Sequence, residues 1–274
     1  MTAQSAARAV ATEPELLRET IGSVAILTLN RPQTRNTLSE SMLASLGNAL
    51  TSIASDQGVR VVVLAARGPA FSGGHDLKEM TARRSDPDGG RAYFRFIMLT
   101  CSTMMQQIVR LPQPVIAAVQ GTATAAGCQM VASCDLAVAS ADAKFGVSGI
   151  NAGLFCSTPM VALSRNVERK HAMEMLLTGD LIPAQEAFRI GLVNQVVEPG
   201  REHDAALALA RKIAGKSSHV VKLGKAAFYR QLEMGLEAAY DYTSEVMVEN
   251  MLAHDAREGI AAFIDKRPPK WEDR

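Results

Sequence analysis

The sequence predicts an α/β fold, with a β/α core to about residue 200 and helices from there to residue 274. Three observations predict it. Short apolar, β-branched runs at 21–29, 59–65 and 115–119 read as strands, the last two buried on both faces. Amphipathic helical stretches alternate with them. From Asp204 onward almost everything follows helical periodicity.

Taken in order, Ile21 to Leu29 reads as one strand, entered through the Gly22-Ser23 turn and ended by Arg31-Pro32. Thr37 and Glu40 have capping-box spacing, and Met42, Leu46, Ala49 or Leu50, and Ile53 then share a helical face. Val59 to Ala65 is a strand, and Arg67 to Gly74 a Gly-containing loop. A charged segment at Asp86 to Gly90 reads as exposed. A helix runs from about Arg91 to Arg110 and is stopped by Pro112 and Pro114. Val115 to Val119 is a strand, Gly121 to Gly127 a loop of small residues, Leu136 to Ala139 a short strand, and Val193 to Val197 the last strand. This gives a frayed tail over 1–15, a core over 16–200 and a helical region over 201–274.

Composition narrows the function. Lys and Arg total 29 against 28 Asp and Glu, so the balance offers no nucleic-acid or membrane face. No stretch of about 18 apolar residues suits a membrane span. The four cysteines contain no C-x-x-C pair and read as buried thiols of a cytosolic protein. The five histidines lack helical ligand spacing, so no metal is expected. Neither G-x-G-x-x-G nor G-x-x-x-x-G-K-[ST] occurs, which argues against a nucleotide loop.

Two loops share one design: Ala70 to Leu77 (AFSGGHDL) and Gly121 to Gln129 (GTATAAGCQ). Each follows a buried strand and is rich in small residues, which let a ligand approach the backbone. Side by side they could aim two backbone N–H groups at one oxygen. Tight strand–helix packing is the bland alternative.

Seven segments then resemble, in order, those of the crotonase (enoyl-CoA hydratase/isomerase) superfamily. They are Asn30-Arg31-Pro32 with Arg35 to Leu38; Phe71 to Leu77; Pro114 to Gly121; Cys134-Asp135-Leu136; Gly153-Leu154; Ala184 to Ala187 with Gly191 to Val193; and Phe263 to Pro269. The resemblance implies the crotonase fold, a spiral of ββα units whose C-terminal helices mediate a homotrimer or a hexamer of stacked trimers. It implies an acyl-CoA ligand and no cofactor beyond the coenzyme A of the substrate. It maps the oxyanion-hole donors to the backbone amides of His75 and Ala126. The His75 side chain is read as turned away or against CoA. Arg35, Thr37, Leu38, Ser72, Gly73, Gly74, Asp76, Leu77 and Gly127 fall along the ligand path, and Phe263 and Lys266 on the terminal helix fall near the adenine end. A bacterial cytoplasm is the expected compartment, or the mitochondrial matrix for a eukaryotic source.

The sequence departs from that pattern where family hydratases carry two glutamates. One position holds Gln129, the other Gly149, which reads as leaving only space. An amide orients a water without taking its proton, and losing a general acid–base group costs about 10²–10⁴-fold, so hydration is expected to be weak. The aspartate of dienoyl-CoA isomerases would fall near Ser157. Cys156 could act as a nucleophile only if its pKa were lowered, and otherwise reads as a buried thiol. The segments Ala123 to Gln129 and Gly153 to Pro159 are similar to the enoyl-CoA hydratase domain-containing subgroup, which lacks the glutamate pair. The expected function is that of an acyl-CoA enzyme of hydratase/isomerase type. The alternatives are another acyl-CoA reaction (thioester hydrolysis, isomerisation or decarboxylation) or a catalytically silent CoA binder.

Overall fold

A computed structural model describes residues 13–274, so most of the expected tail lies outside the described residues. Glu13 to Glu15 are bonded to the body: the Asn30 side chain donates to Glu13 and to the Pro14 carbonyl, and Ser41 and Ser45 donate to Glu15.

Strands β1 (Leu16–Ile21) and β2 (Val24–Leu29) form an antiparallel hairpin in which Ile21 faces Val24. Gly22 supplies the positive φ of +61° that a two-residue hairpin loop needs. The expected single strand from Ile21 is therefore two. The charged run Leu-Arg-Glu-Thr conceals the first because β1 is a largely exposed edge strand.

Helix α1 (Glu40–Ala54) follows, and its N-cap is Ser39, whose Oγ accepts from the Met42 amide at 3.2 Å. The expected Thr37–Glu40 capping box does not form. Leu38 is still extended, paired with His75, and the Thr37 hydroxyl turns to Asp76.

A ββα pattern then repeats. β3 (Val61–Ala66) and β4 (Ala70–Ser72) lead to α2 (Leu77–Ala82) and α3 (Arg91–Arg110). β5 (Val115–Val119) and β6 (Thr122–Thr124) lead to α4 (Ala126–Ser133), and β7 (Leu136–Ser140) is followed by β8 (Lys144–Gly146). After these come α5 (Pro159–Leu163), α6 (Arg169–Thr178), β9 (Ile182–Pro183), α7 (Ala184–Arg189) and β10 (Gln195–Val197). The chain closes with α8 (Glu202–Ala214), α9 (Ser218–Gln231), α10 (Leu236–Leu252) and α11 (His254–Ile264). The first strand of each unit joins a six-stranded sheet, β1-β2-β3-β5-β7-β10, and the second joins a four-stranded sheet, β4-β6-β8-β9. From β2 to β10 the large sheet is parallel, and β4, β6 and β8 are parallel in the small one. The two small-residue loops thus each contain a short strand.

Alternation along the central strands divides the core. Ala25, Leu27, Val62, Leu64, Ala117 and Val119 face one side, with α1, α3 and α4. Val24, Ile26, Val61, Val63, Ile116 and Val138 face the other, where Ala206, Leu207 and Ala210 of α8 cover them. Burial on both faces is why these strands read as continuous apolar runs. It also makes the first helix after residue 200 part of the core.

Helix α9 is tied to the sheet by a buried ion pair. Lys225 Nζ lies 2.7 Å from Asp135 Oδ2 and also donates to the Ile108 and Gln113 carbonyls. Tyr229 donates to the other carboxylate oxygen at 2.9 Å, and the Val115 amide donates to Oδ2. Every heteroatom of the pair is engaged, which offsets the cost of dehydrating it. Lys225→Met, which strands Asp135 without its cation, is expected to cost about 3–5 kcal/mol in a urea melt. Tyr229→Phe is expected to cost about 1–3 kcal/mol. A Lys225→Met protein as stable as the parent would show that the pair does not fasten α9.

Candidate active site

Because β4 and β6 are neighbours, the loops that leave them lie side by side. Their backbones are in contact. A Cβ on Gly74 would stand 2.9 Å from the Ala125 Cβ and 3.2 Å from the Ala126 nitrogen. One on Gly127 would stand 2.3 Å from the Ser72 carbonyl oxygen. Gly74 also has φ +84°. Both glycines are therefore required by close approach. Ala125, at φ 50° and ψ −121°, is in a conformation that an L-residue occupies only under strain. Its amide donates to the Gly146 carbonyl at 2.9 Å, which pins the turn that launches α4. Among the described residues, neither the His75 nor the Ala126 amide donates to a protein acceptor.

Asn36, which motif reading left without a role, holds the first loop. It is fully buried with φ 51°, a region Asn tolerates better than most residues. Its Oδ1 accepts from the Arg31 amide, and its Nδ2 donates to the Arg67 and Ala70 carbonyls, each at 2.8–2.9 Å. Ser72 Oγ donates to the Asn36 carbonyl and accepts from the Gly74 amide. The only available signal for this role is a short polar residue that tolerates positive φ, placed between two loop segments. Asp76 caps α2, accepting from the Lys78 and Glu79 amides, and receives the Thr37 hydroxyl at 3.3 Å.

The remaining groups define the chemistry. Both His75 ring nitrogens are shielded from solvent and lack a protein partner. Burial holds this imidazole below the usual histidine range; the Leu38 backbone opposes the shift, although no hydrogen bond of normal geometry reaches the ring. Gln129 is buried with Oε1 unpartnered. Gly149 does not leave open space: a Cβ there would lie 2.6 Å from the Leu154 carbonyl oxygen and 2.7 Å from Cys156 Sγ. The Gly149 amide donates to that sulfur at 3.3 Å. Burial pushes the Cys156 thiol up and the Cys128 thiol up to about 12, so neither is an activated nucleophile.

The positions expected along the ligand path differ in burial. The side chains of Leu38 and Ser72 are fully buried and brace the loop from within. Arg35 is exposed, and its carbonyl accepts from Gly73. Leu77 is exposed at the start of α2. Phe263 is 85% exposed, and Lys266 lies beyond the end of α11 rather than on it.

A family profile described as enoyl-CoA hydratase/isomerase matches residues 19–274. Human enoyl-CoA hydratase domain-containing protein 3, mitochondrial, is 49% identical over 245 residues, which is 89% of this chain and 79% of that protein. The short-chain-enoyl-CoA hydratase of Clostridium acetobutylicum is 34% identical over 92% of this chain and 95% of its own. A crystal structure of an enoyl-CoA hydratase from Mycobacterium smegmatis superposes with a TM-score of 0.90 at 54% identity, covering 94% of this chain and 99% of that one. The spiral of ββα units, the profile and these relatives agree, and the chain belongs to the enoyl-CoA hydratase/isomerase family.

Proposed function

We propose that the protein binds an acyl-CoA thioester and stabilises its enolate, with the thioester oxygen between the His75 and Ala126 amides. The observation that carries this reading is the pair of amides without a protein acceptor, presented by two loops that only glycines allow to touch. Fixed donors aimed at a developing oxyanion require no reorganisation during reaction, and one such donor is worth about 10²–10³-fold in rate. A relative named as a short-chain-enoyl-CoA hydratase supports the choice of a CoA thioester.

Hydration is proposed to be weak. At the two positions where the resemblance expects carboxylates stand an amide and a glycine whose side-chain space is filled. The same observation favours a second reading, a CoA-binding protein that turns nothing over. Thioester hydrolysis through Cys156 has less support, since burial keeps that sulfur protonated. Relatives named from bacteria and from mitochondria support action in the bacterial cytoplasm or the mitochondrial matrix.

The proposed assembly is a homotrimer or a hexamer. No residue of α10 is buried, and Leu236, Tyr240, Met251 and Leu252 on it are all more than half exposed. Continuous apolar exposure of this kind marks an interface.

Calorimetry with crotonyl-CoA is expected to show binding, and the enoyl absorbance is expected to decay slowly or not at all. Absence of binding would sink the reading, and brisk hydration would show that another group carries the protons. Gly149→Glu is expected to destabilise the chain by about 1–3 kcal/mol through overpacking without raising hydration. A faster and equally stable variant would show that the position is open after all. Light scattering on a sizing column is expected to give three or six times the 29.3 kDa chain mass, and a monomer peak would refute the assembly.

A further inference from the structure

The outward face of a surface helix ordinarily carries charged side chains among its polar ones. Residues 41–55 of α1 and 96–109 of α3 carry none, in a chain that is 21% charged. Burial accounts for only part of each stretch. Met42, Leu46 and Ile53 of α1 and Ile97, Met104 and Ile108 of α3 are in the core. Ala44, Asn48, Thr51, Phe96, Leu99 and Thr103 are exposed. Helix α4 is also free of charge, but all of its residues are buried. The other long helices, α6, α8, α9, α10 and α11, each carry acidic or basic side chains.

We propose that the α1–α3 face is a docking surface for a second copy of this chain, which meets it with the same face across a twofold axis. The inference rests on the assembly reading above and assigns the surface that joins two trimers into a hexamer.

The two helices leave a trough between them. Its lining includes Gly47, Asn48 and Thr51 from α1 and Thr103, Gln106 and Gln107 from α3, in two adjoining hollows of about 390 and 440 Å³. Gly47 lets the helices approach: a Cβ there would stand 3.4 Å from Gln107 Oε1, and Gln107 Nε2 donates to Thr51 Oγ1 at 3.3 Å. Phe96 and Leu99, about half exposed, line one of the hollows, and Arg110 stands at the far end of the other.

Charge selects the occupant. A partner that sets an ion against this face strands it without a counter-charge, which is the costly arrangement at an interface. A neutral face of hydroxyls and amides matches itself, because these groups both donate and accept. A twofold axis sets the face of one copy against the identical face of the other. Depletion of charge is also what distinguishes the centre of an interface from the rest of a surface.

Area sets the stoichiometry. The 15 residues of α1 span about 22 Å, and two helices with axes about 9 Å apart present roughly 400 Å². That is about half of one side of a standard interface, too little to hold two lone chains together. Repeated three times between two trimers, it exceeds one. The face is also separate from the apolar exposure of α10: α1 packs on β1 and α3, whereas α10 packs on α9 and α11.

The test is light scattering on a sizing column with the full chain, with circular dichroism as the check on folding. The parent is expected at six times the 29.3 kDa chain mass. Ala44→Glu and Thr103→Glu each place a carboxylate at an exposed helix position. Each is expected to halve the assembly to three chains while the helical dichroism stays that of the parent. Thr103→Ser, which adds no charge, is expected to remain at six. A Glu variant that remains at six chains overturns the assignment. So does a folded one that falls below three, which places the face in the contact within a trimer. A parent of three chains overturns the assignment and spares the assembly reading; a parent of one or two chains removes both. The parent results stand even where a variant fails to fold.

Discussion

Two backbones meet in this protein at distances that no side chain would permit, and the arrangement of the site depends on that contact. Gly74 rests on Ala125 and the Ala126 nitrogen, and Gly127 rests on the Ser72 carbonyl. The contact exists because the ββα unit repeats. Each unit places its second strand in the small sheet, so the loops after β4 and β6 emerge side by side. Only residues without a Cβ then allow the backbones to close. The His75 and Ala126 amides, the two groups to which the proposed chemistry assigns the oxyanion, are direct neighbours of those glycines.

Holding such a contact takes stiffness on both sides. On one side Asn36 links the 31–38 segment to the Arg67 and Ala70 carbonyls, and Ser72 closes the circuit. On the other, Ala125 holds a strained conformation of order 1–3 kcal/mol. Its bond to Gly146, the packing of α4 and the apolar layer between the sheets hold it there. Farther out, Lys225 and Tyr229 reach Asp135, which in turn accepts from the first amide of β5. The helical region is thus fastened to the strand that leads into the second loop.

Legibility followed length and environment. Helix α3, with 20 residues between a Gly turn and two prolines, was plain in the sequence, as was β5 as a short β-branched run. The strands β4, β6 and β8 have three residues each, too few to show a period, so the second layer read as loops. β1 was hidden because an exposed edge strand carries charges. The capping error at Thr37 came from tertiary pairing, which keeps Leu38 extended against His75 until Ser39 can cap. In the site, the motif segments named the two loops. The full burial of the Leu38 and Ser72 side chains was not legible, because a motif marks positions without saying which way a side chain points. Gly149 misled for a related reason: a missing side chain looks like space until its neighbours are known, and here Cys156 Sγ and the Leu154 carbonyl occupy it.

That filled position changes how the missing carboxylates are understood. If Gly149 faced a void, that position would resemble a hydratase's with its side chain deleted, and a substitution there would restore one of the two carboxylates. Instead the Gly149 amide donates to Cys156 Sγ, so glycine, thiol and the turn at Leu154 form one packed unit. Gln129 is isosteric with glutamate, but its Oε1 is buried without a partner. A carboxylate there would carry a charge into the same surroundings, where dehydration favours the protonated acid. In the proposed reading, a protein built this way is not one mutation from brisk hydration. The rigid part, two amides set by glycine contact, would in the proposed reading serve any reaction that passes through a thioester oxyanion. The variable part, the proton carrier, must come from whichever polar group the packing leaves unengaged.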